Sequence, residues 1–350
     1  MKKLLSLFLV AVCVFALLCA LQSCSAAEVY SEGDGEIEVL CTSFVPFDLA
    51  RVVGGELVTV SILQDSGSDL HNYTPTSATL EALSRADVFI YIGGVSDEAW
   101  LDDAIAAAGN KDLITLRLMD HIAPIYAELE NDWSSHEDDG HTDEDHVDDG
   151  HTNDSHANEG HEGHGHNGHG HEGHVHGADE HIWTSVKNAI KMTEAISELF
   201  CSIDGDSEAI YRKNSDDYIE QLNQLDAELT NIAANSSKTL LFADRFPFVY
   251  LMHDYHIPYK AAFSGCSTEV NSGFEIQIQL IEAVREQELD YVLTLEGGDK
   301  ALCDAICAET GCKAIALDSM QSVTRADIEN GYTYLNAMIN NVRVLKEVLQ

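Results

Sequence analysis

A run of histidines with acidic residues between them is the most conspicuous chemistry in this sequence. From residue 136 the histidines recur every five residues, and they then become denser with glycines between them. Neutral imidazoles and carboxylates are ligands for divalent transition metals, and glycine lets several of them converge. The pattern predicts weak, multiple metal binding with little discrimination among zinc, nickel and copper. This histidine tract comprises His136, His141, His146, His151, His156, His161, His164, His166, His169, His171, His174 and His176.

The histidine tract lies in a segment that cannot form a core. Residues 131–180 are almost entirely His, Asp, Glu, Gly, Ser, Thr and Asn. Such a segment buries too little apolar surface to offset the entropy of ordering it, so we predict a disordered insertion. The entropy cost of ordering this segment also argues against a tight metal site inside it. The alternative is an acidic spacer whose histidines do nothing specific.

Four other ligand-type residues stand where the sequence predicts strand ends or loops of ordinary composition. His71 follows a predicted strand, and His181 precedes a helix at the end of the insertion. Asp244 and Asp318 each follow a strand in the second half of the chain. Ligands of α/β proteins bind beyond the carboxyl ends of the strands. A lone His or Asp in a loop is more often a cap or a surface residue, but four such positions together predict an ordered metal site.

Strands and helices alternate in both halves of the chain. This alternation predicts an α/β fold with two similar lobes, in which parallel sheets are flanked by helices and one long rigid linker helix joins the lobes. The N-terminal lobe is expected at 36–205, the linker helix at 206–236 and the C-terminal lobe at 237–350. Apolar residues at alternating steps of four and three predict the linker helix. A closing helix is expected from Arg325 to Leu349.

The N-terminus has the pattern of an export signal. Two lysines precede an apolar run that ends in Leu21-Gln22-Ser23-Cys24. The segment resembles a bacterial lipoprotein signal, which predicts cleavage after residue 23, a lipid anchor on Cys24 and a polar tether over 24–35. The protein is then extracytoplasmic and anchored to the bacterial membrane. The alternatives are an ordinary secretory signal or a transmembrane helix.

The charge of the chain excludes one class of partner. With 19 basic and 60 acidic residues, the formal net charge of the 350-residue chain is -41. Such a chain would repel a phosphate backbone, so we expect no nucleic-acid partner. An acidic surface favours cations as partners.

Several motifs together resemble one family, the metal-specific substrate-binding lipoproteins of bacterial ABC importers. The resemblance covers nearly all of the mature chain, and a histidine-rich insertion just before His181 resembles the zinc branch more than the manganese branch. The motifs that carry it are His71-Asn72-Tyr73-Thr74-Pro75-Thr76, Ala86-Asp87-Val88-Phe89-Ile90-Tyr91-Ile92-Gly93, Glu180-His181-Ile182-Trp183 and Tyr211-Arg212-Lys213-Asn214.

The resemblance implies a metal held between the lobes by three histidines and a carboxylate. His71 and His181 match the first two histidines, and Asp318 matches the carboxylate. The third histidine aligns with Ala243, where this chain departs from the family pattern, and Asp244 is the nearest replacement. The resemblance also implies Zn²⁺ as cargo, with Mn²⁺ as the alternative, and a monomer that works with an ABC permease and its ATPase rather than as an enzyme.

Some alternatives stay open at the level of sequence. Asp244 could instead form a structural salt bridge with Arg245, and Glu296 or a tract histidine could complete the metal site. His253 and His256 are interpreted as ordinary surface histidines. A zinc hydrolase is disfavoured because no HExxH pair is present. A surface zinc buffer or adhesin acting through the tract, and a manganese importer, are the rival functions.

Overall fold

The structure is a computed structural model, and it describes residues 29–63, 71, 73–126, 178–263 and 274–350. The predicted signal 1–23, the lipidation site Cys24 and all twelve histidines of the tract lie outside the described residues. The described residues nevertheless include all four ordered candidate ligands, so the candidate site can be examined directly.

The N-terminal lobe contains a five-stranded sheet with the order β1-β3-β2-β4-β5. Strands β2 to β5 are parallel, and β1 pairs antiparallel with β3 at the edge. The predicted tether 24–35 therefore contains a short strand. The strands are β1 (Tyr30–Glu32), β2 (Ile37–Cys41), β3 (Val58–Ile62), β4 (Val88–Tyr91) and β5 (Ile114–Arg117).

Helices cover this sheet because parallel strands need crossover connections. Buried Val39, Val60 and Ile90 from the strands pack in one core with the apolar side chains of α1 and α5. Helix α2 begins at a capping box formed by Thr76 and Thr79. The helices are α1 (Phe44–Gly54), α2 (Ser77–Arg85), α3 (Val95–Glu98), α4 (Leu101–Ala108) and α5 (Val186–Ile203).

One long helix, α6 (Glu208–Ala234), connects the lobes with 27 residues. At about 1.5 Å per residue it is about 40 Å long. Its buried stripe packs into the same core as α1 and α5, and consists of Tyr211, Tyr218, Leu222, Leu225, Leu229 and Ile232. Within the described ranges, no helix combines the length and apolar character needed to span a bilayer.

The C-terminal lobe contains a four-stranded parallel sheet with the order β7-β6-β8-β9. The α/β class with two parallel-sheet lobes is therefore confirmed. The strands are β6 (Leu240–Phe242), β7 (Tyr259–Ala261), β8 (Tyr291–Leu295) and β9 (Lys313–Leu317). The helices are α7 (Val249–Tyr255), α8 (Phe274–Glu286), α9 (Ala301–Thr310), α10 (Arg325–Glu329) and α11 (Tyr334–Leu349).

The prediction of one closing helix from Arg325 to Leu349 is wrong. The segment forms α10 and α11, and between them Gly331 adopts a φ of 86° that a continuing helix cannot use. Thr333 then caps the new helix by accepting a hydrogen bond from the backbone N–H of Asn336.

Buried hydrogen bonds join the two lobes directly. The indole N–H of Trp183 donates to the carbonyl of Ser319 at 2.9 Å, and the hydroxyl of Tyr334 donates to the carbonyl of Trp183 at 2.9 Å. The backbone N–H of Tyr334 also donates to Asp48 at 2.8 Å. Because buried polar groups are costly to leave unpaired, these bonds stabilise the contact between the lobes around the segment that carries His181.

Candidate metal centre

His71 lies between the end of β3 and the start of α2, and a carboxylate holds its ring. Its Nδ1 atom is 2.8 Å from Oε1 of Glu180 and 2.9 Å from Oγ of Ser96. Ser96 also supports Glu180, through its hydroxyl at 2.6 Å and its backbone N–H at 2.9 Å. The ring therefore has a fixed orientation although 24% of the side chain is exposed.

His181 is held in the same way by the residue two positions earlier in the chain. Its Nδ1 atom is 2.9 Å from Oδ1 of Asp179, which also accepts the backbone N–H of His181 at 2.8 Å. Asp179 is fixed in turn, since its backbone N–H donates to the carbonyl of Ile125 and its own carbonyl accepts the hydroxyl of Tyr250. The His181 side chain is only 4% exposed.

These contacts aim the other nitrogen of each ring at one point. A carboxylate that accepts the Nδ1–H leaves Nε2 as the electron-pair donor, which is the arrangement found around metal-binding histidines. The Nε2 atoms of His71 and His181 are 3.3 Å apart. Two nitrogens at about 2.05 Å from a tetrahedral zinc ion lie about 3.3 Å apart, so the pair has the spacing of two zinc ligands.

Glu180 is the third ligand-type residue in this cluster. Among the described residues, His71, Glu180 and His181 are the one group of three such side chains whose ligand atoms all lie within 4.8 Å of one another. Burial would raise the pKa of Glu180, but hydrogen bonds from His71 and Ser96 and the nearby His181 outweigh it and lower the pKa to about 2. Gly94 packs on this carboxyl group, since a Cβ there would lie 2.2 Å from Oε2.

Sequence reasoning assigned Asp179 and Glu180 to the end of the disordered insertion 131–180. In the structure both are buried, and Ala178 forms a β-bridge with Tyr126. The prediction of a disordered insertion is therefore wrong for residues 178–180, which pack into the described structure. The tract residues themselves lie outside the described residues.

Gln321 is the residue of this centre that the sequence prediction missed. Its side-chain nitrogen is 3.1 Å from Nε2 of His71 and 2.9 Å from Nε2 of His181. It is 4% exposed and belongs to the loop after β9 in the C-terminal lobe. The one available signal was its position three residues after Asp318 at the same strand end.

Asp318 is not in the histidine cluster and organises this loop instead. Its Oδ1 accepts the backbone N–H of Met320 at 2.9 Å, and its Oδ2 accepts the hydroxyl of Tyr332 at 2.5 Å. Asn341 holds the Asp318 backbone from both sides, accepting its N–H and donating to its carbonyl, each at 2.8 Å. Asp318 thereby fixes the segment that carries Gln321.

Asp244 likewise lies outside the histidine cluster. Its Oδ2 accepts the hydroxyl of Thr294 at 2.7 Å and the backbone N–H of Leu295 at 3.1 Å, while Oδ1 accepts the backbone N–H of Arg245 at 2.7 Å. The side chain therefore braces the end of β6 against β8. Glu296, the other carboxylate candidate, is exposed.

The two remaining histidine candidates lie at the end of α7. The His253 side chain is 64% exposed and pairs with Asp254 at 3.2 Å. His256 caps the helix at a φ of 53° and is exposed. Both have the character of the surface histidines that the sequence predicted.

One protein family matches most of the chain. The model of the family described as the periplasmic component A of a zinc-uptake complex matches residues 39–348, most of the chain. The chain belongs to this family.

Curated relatives of the family extend over the whole chain at low identity. The zinc-binding lipoprotein AdcA of Streptococcus pneumoniae is 24% identical over 349 residues, which are 99% of this chain and 61% of that protein. The high-affinity zinc uptake system protein ZnuA of Bacillus subtilis is 23% identical over 348 residues, covering 99% and 98% of the two chains. The chain thus spans about three-fifths of the length of the first relatives it matches.

Solved structures of similar proteins share the fold. The Zn(II)-bound ZnuA-like domain of S. pneumoniae AdcA matches with a TM-score of 0.66 and 21% identity, covering 90% of this chain and 99% of that one. A Mn-bound periplasmic metal-binding protein from Candidatus Liberibacter asiaticus matches with a TM-score of 0.65 and 17% identity, covering 90% and 100%. The fold is therefore common to proteins crystallised with either metal.

Asp97 is a buried carboxyl group next to Ser96, the residue that supports Glu180. We predict that it makes the stability of the protein depend on pH. Burial raises the pKa of Asp97 to about 6 from 3.8, although the backbone N–H of Gly93 counteracts the shift. The native protein should therefore lose stability relative to Asp97→Asn as pH rises from about 4 to above 6, by about 3 kcal/mol. Denaturant unfolding with a chelator present measures this difference. The exposed Asp112→Asn serves as the control, and a difference that does not change with pH would contradict the assignment.

Proposed function

We propose that this protein is the extracytoplasmic zinc-binding component of an ABC importer, which captures Zn²⁺ between its two lobes and delivers it to a membrane permease. The observation that carries the proposal is the convergence of the two Nε2 atoms at 3.3 Å, each on a ring whose Nδ1 faces a carboxylate. Membership in the zinc-uptake family supports the same function. Capture and release need no chemical transformation, so the protein is not an enzyme.

The donor types favour zinc over manganese as the cargo. Imidazole nitrogens suit zinc, copper, iron and nickel, whereas manganese prefers sets of carboxylate and other oxygen ligands. His71 and His181 supply two imidazoles. Asp244 and Asp318 are secondary proposals as ligands, because each would have to give up hydrogen bonds that it accepts from neighbouring backbone and hydroxyl groups.

The rest of the chain is proposed to serve delivery at the membrane. A lipid on Cys24 would anchor the protein to the bacterial membrane on its extracytoplasmic side, as a monomer that works with a permease and its ATPase. The histidine tract would collect loosely held Zn²⁺ near that surface. Its weak sites would raise the local supply without competing with the ordered centre.

Substitution of either histidine should abolish tight zinc binding. In a titration against a competing chelator, we expect His71→Ala and His181→Ala each to weaken binding by roughly a hundredfold or more, because each removes a zinc ligand. Asp244→Ala tests the secondary proposal, since weaker zinc binding would make Asp244 a ligand. Unchanged affinity with lower stability would leave its carboxylate only the role of bracing β6 against β8. His253→Ala, on an exposed side chain, is the control. Native affinity in both His71→Ala and His181→Ala would refute the proposed site.

Removal of the histidine tract separates this function from a surface zinc buffer. A deletion of 131–176 leaves Ala178, Asp179 and Glu180 in place, and we expect it to retain one tight site while losing the weaker ones. Calorimetric titration with Zn²⁺ and Mn²⁺ measures both the number of sites and the preference between the metals. Loss of the tight site would favour the buffer, and tighter binding of Mn²⁺ would favour a manganese importer.

A further inference from the structure

The side-chain amide of Gln321 completes a triangle with the two histidine nitrogens. The three separations are 3.3 Å between the Nε2 atoms, 3.1 Å from the amide to His71 and 2.9 Å from the amide to His181. Ligand atoms around a tetrahedral zinc ion are about 3.3 Å apart. The triangle is therefore close to one face of a zinc coordination tetrahedron, with two edges shortened to hydrogen-bond lengths.

The chemistry of the amide explains those shortened edges. An amide –NH₂ has two N–H donors and its nitrogen is not a metal ligand, so it donates to the lone pairs of both imidazoles. Zinc would use the same two lone pairs, and its binding must break both hydrogen bonds. The terminal torsion of glutamine is broad, and a turn of about 180° puts the carbonyl oxygen where the nitrogen was.

We propose that Gln321 is a zinc ligand, which presents its carbonyl oxygen to an ion held by His71 and His181. The inference rests on the proposed function and assigns the third protein ligand of that site. The same side chain would then have two states. Its N–H₂ group bridges the imidazoles in one state, and its oxygen joins them on the metal in the other.

The position of Gln321 is fixed well enough for this role. The side chain is 4% exposed, and its loop is held on the N-terminal lobe by the bond from the Trp183 indole to Ser319. Asp318 and Asn341 fix the start of the loop from the C-terminal lobe. A ligand constellation must be held within about 0.5 Å to be effective, and buried supports of this kind achieve that.

Gln321 also connects the metal to both lobes. His71 and His181 belong to the N-terminal lobe, whereas Gln321 follows β9 of the C-terminal lobe. A zinc ion bound by His71, His181 and Gln321 would link the N-terminal lobe to the C-terminal lobe. Release of the ion would remove this link. Metal occupancy would therefore bias the closure of the two lobes.

Two substitutions at this position test the role of the oxygen. Gln321→Leu keeps the approximate size but removes both oxygen and N–H₂, and we expect zinc affinity to fall by roughly tenfold or more. Gln321→Glu keeps an oxygen in the same place and adds a charge, so affinity should equal or exceed that of the native protein. Titration against a competing chelator measures both. Gln224→Leu, on the exposed face of α6, is the matched control.

The direction of the change in zinc affinity decides whether Gln321 is a ligand or only a competitor of zinc. If Gln321 only competes with zinc for the imidazole lone pairs, Gln321→Leu would bind zinc as tightly as native protein or more tightly, and the proposal would be wrong. Binding by Gln321→Glu as weak as by Gln321→Leu would also overturn it. Thermal unfolding in chelator checks that both variants fold as native protein does.

Failure of this inference can be told from failure of the proposed function. Loss of binding in His71→Ala together with native affinity in Gln321→Leu leaves the two-histidine site standing and removes Gln321 from it. Native affinity in both His71→Ala and His181→Ala would refute the two-histidine site itself.

The side-chain amide resonance of Gln321 gives a readout that does not depend on affinity. On zinc addition it should shift strongly, because its N–H groups leave the imidazoles, and an unchanged resonance would contradict the turn of the amide.

Discussion

The structure depends on holding two imidazole lone pairs at one point. An imidazole is free to rotate about two bonds and to exchange its proton between two nitrogens, so an unsupported pair would rarely converge. Here Glu180 and Asp179 remove both freedoms by taking the Nδ1 side of each ring. Ser96 and Tyr250 act one step further from the rings. Ser96 positions the Glu180 carboxylate and Tyr250 positions Asp179, so both hold a hydrogen-bond acceptor of a histidine and neither contacts the proposed metal position.

Two backbone contacts join the described residues on either side of the gap between 126 and 178. Tyr126 and Ala178 form an antiparallel β-bridge with each other. The backbone bond from Asp179 to Ile125 closes the same junction. Because these contacts lie directly before His181, they help to hold Asp179 and, through it, the His181 ring. The tract proposed to collect metal ends at His176, three residues before Asp179 in the chain.

Sequence reasoning predicted most of the fold because its signals are periodic and local. Alternating strands and helices, the apolar stripe of α6 and the motifs around His71 and His181 are all visible in short windows. Gln321 was invisible because an amide has no ligand signature, and its partners lie 250 and 140 residues away in the chain. Asp244 is predicted as a ligand because it follows Ala243, where the family has a histidine. Its hydrogen bonds to Thr294 and Leu295 could not be predicted, because they depend on the pairing of β6 and β8. Composition likewise grouped Glu180 with the acidic tract, since burial cannot be read from residue type.

In the proposed site the groups that would contact the metal are neutral, whereas the carboxylates of Glu180 and Asp179 lie behind the histidine rings. This arrangement affects which cations the site would prefer. Carboxylates in direct contact with a metal would attract any divalent cation, including those that prefer oxygen ligands. In this centre Glu180 lies on the Nδ1 side of the His71 ring, and hydrogen bonding lowers its pKa to about 2, so it remains ionised at neutral pH. Its negative charge favours a cation and raises the basicity of the imidazole. The atoms proposed to meet the ion are neutral donors, namely the two imidazole nitrogens and the amide oxygen of Gln321. In the proposed site, attraction of a cation thus comes from the charged carboxylates behind the rings, and discrimination comes from the neutral donors that would contact the ion. This division would let a chain with a net charge of -41 select zinc among the cations that its surface attracts.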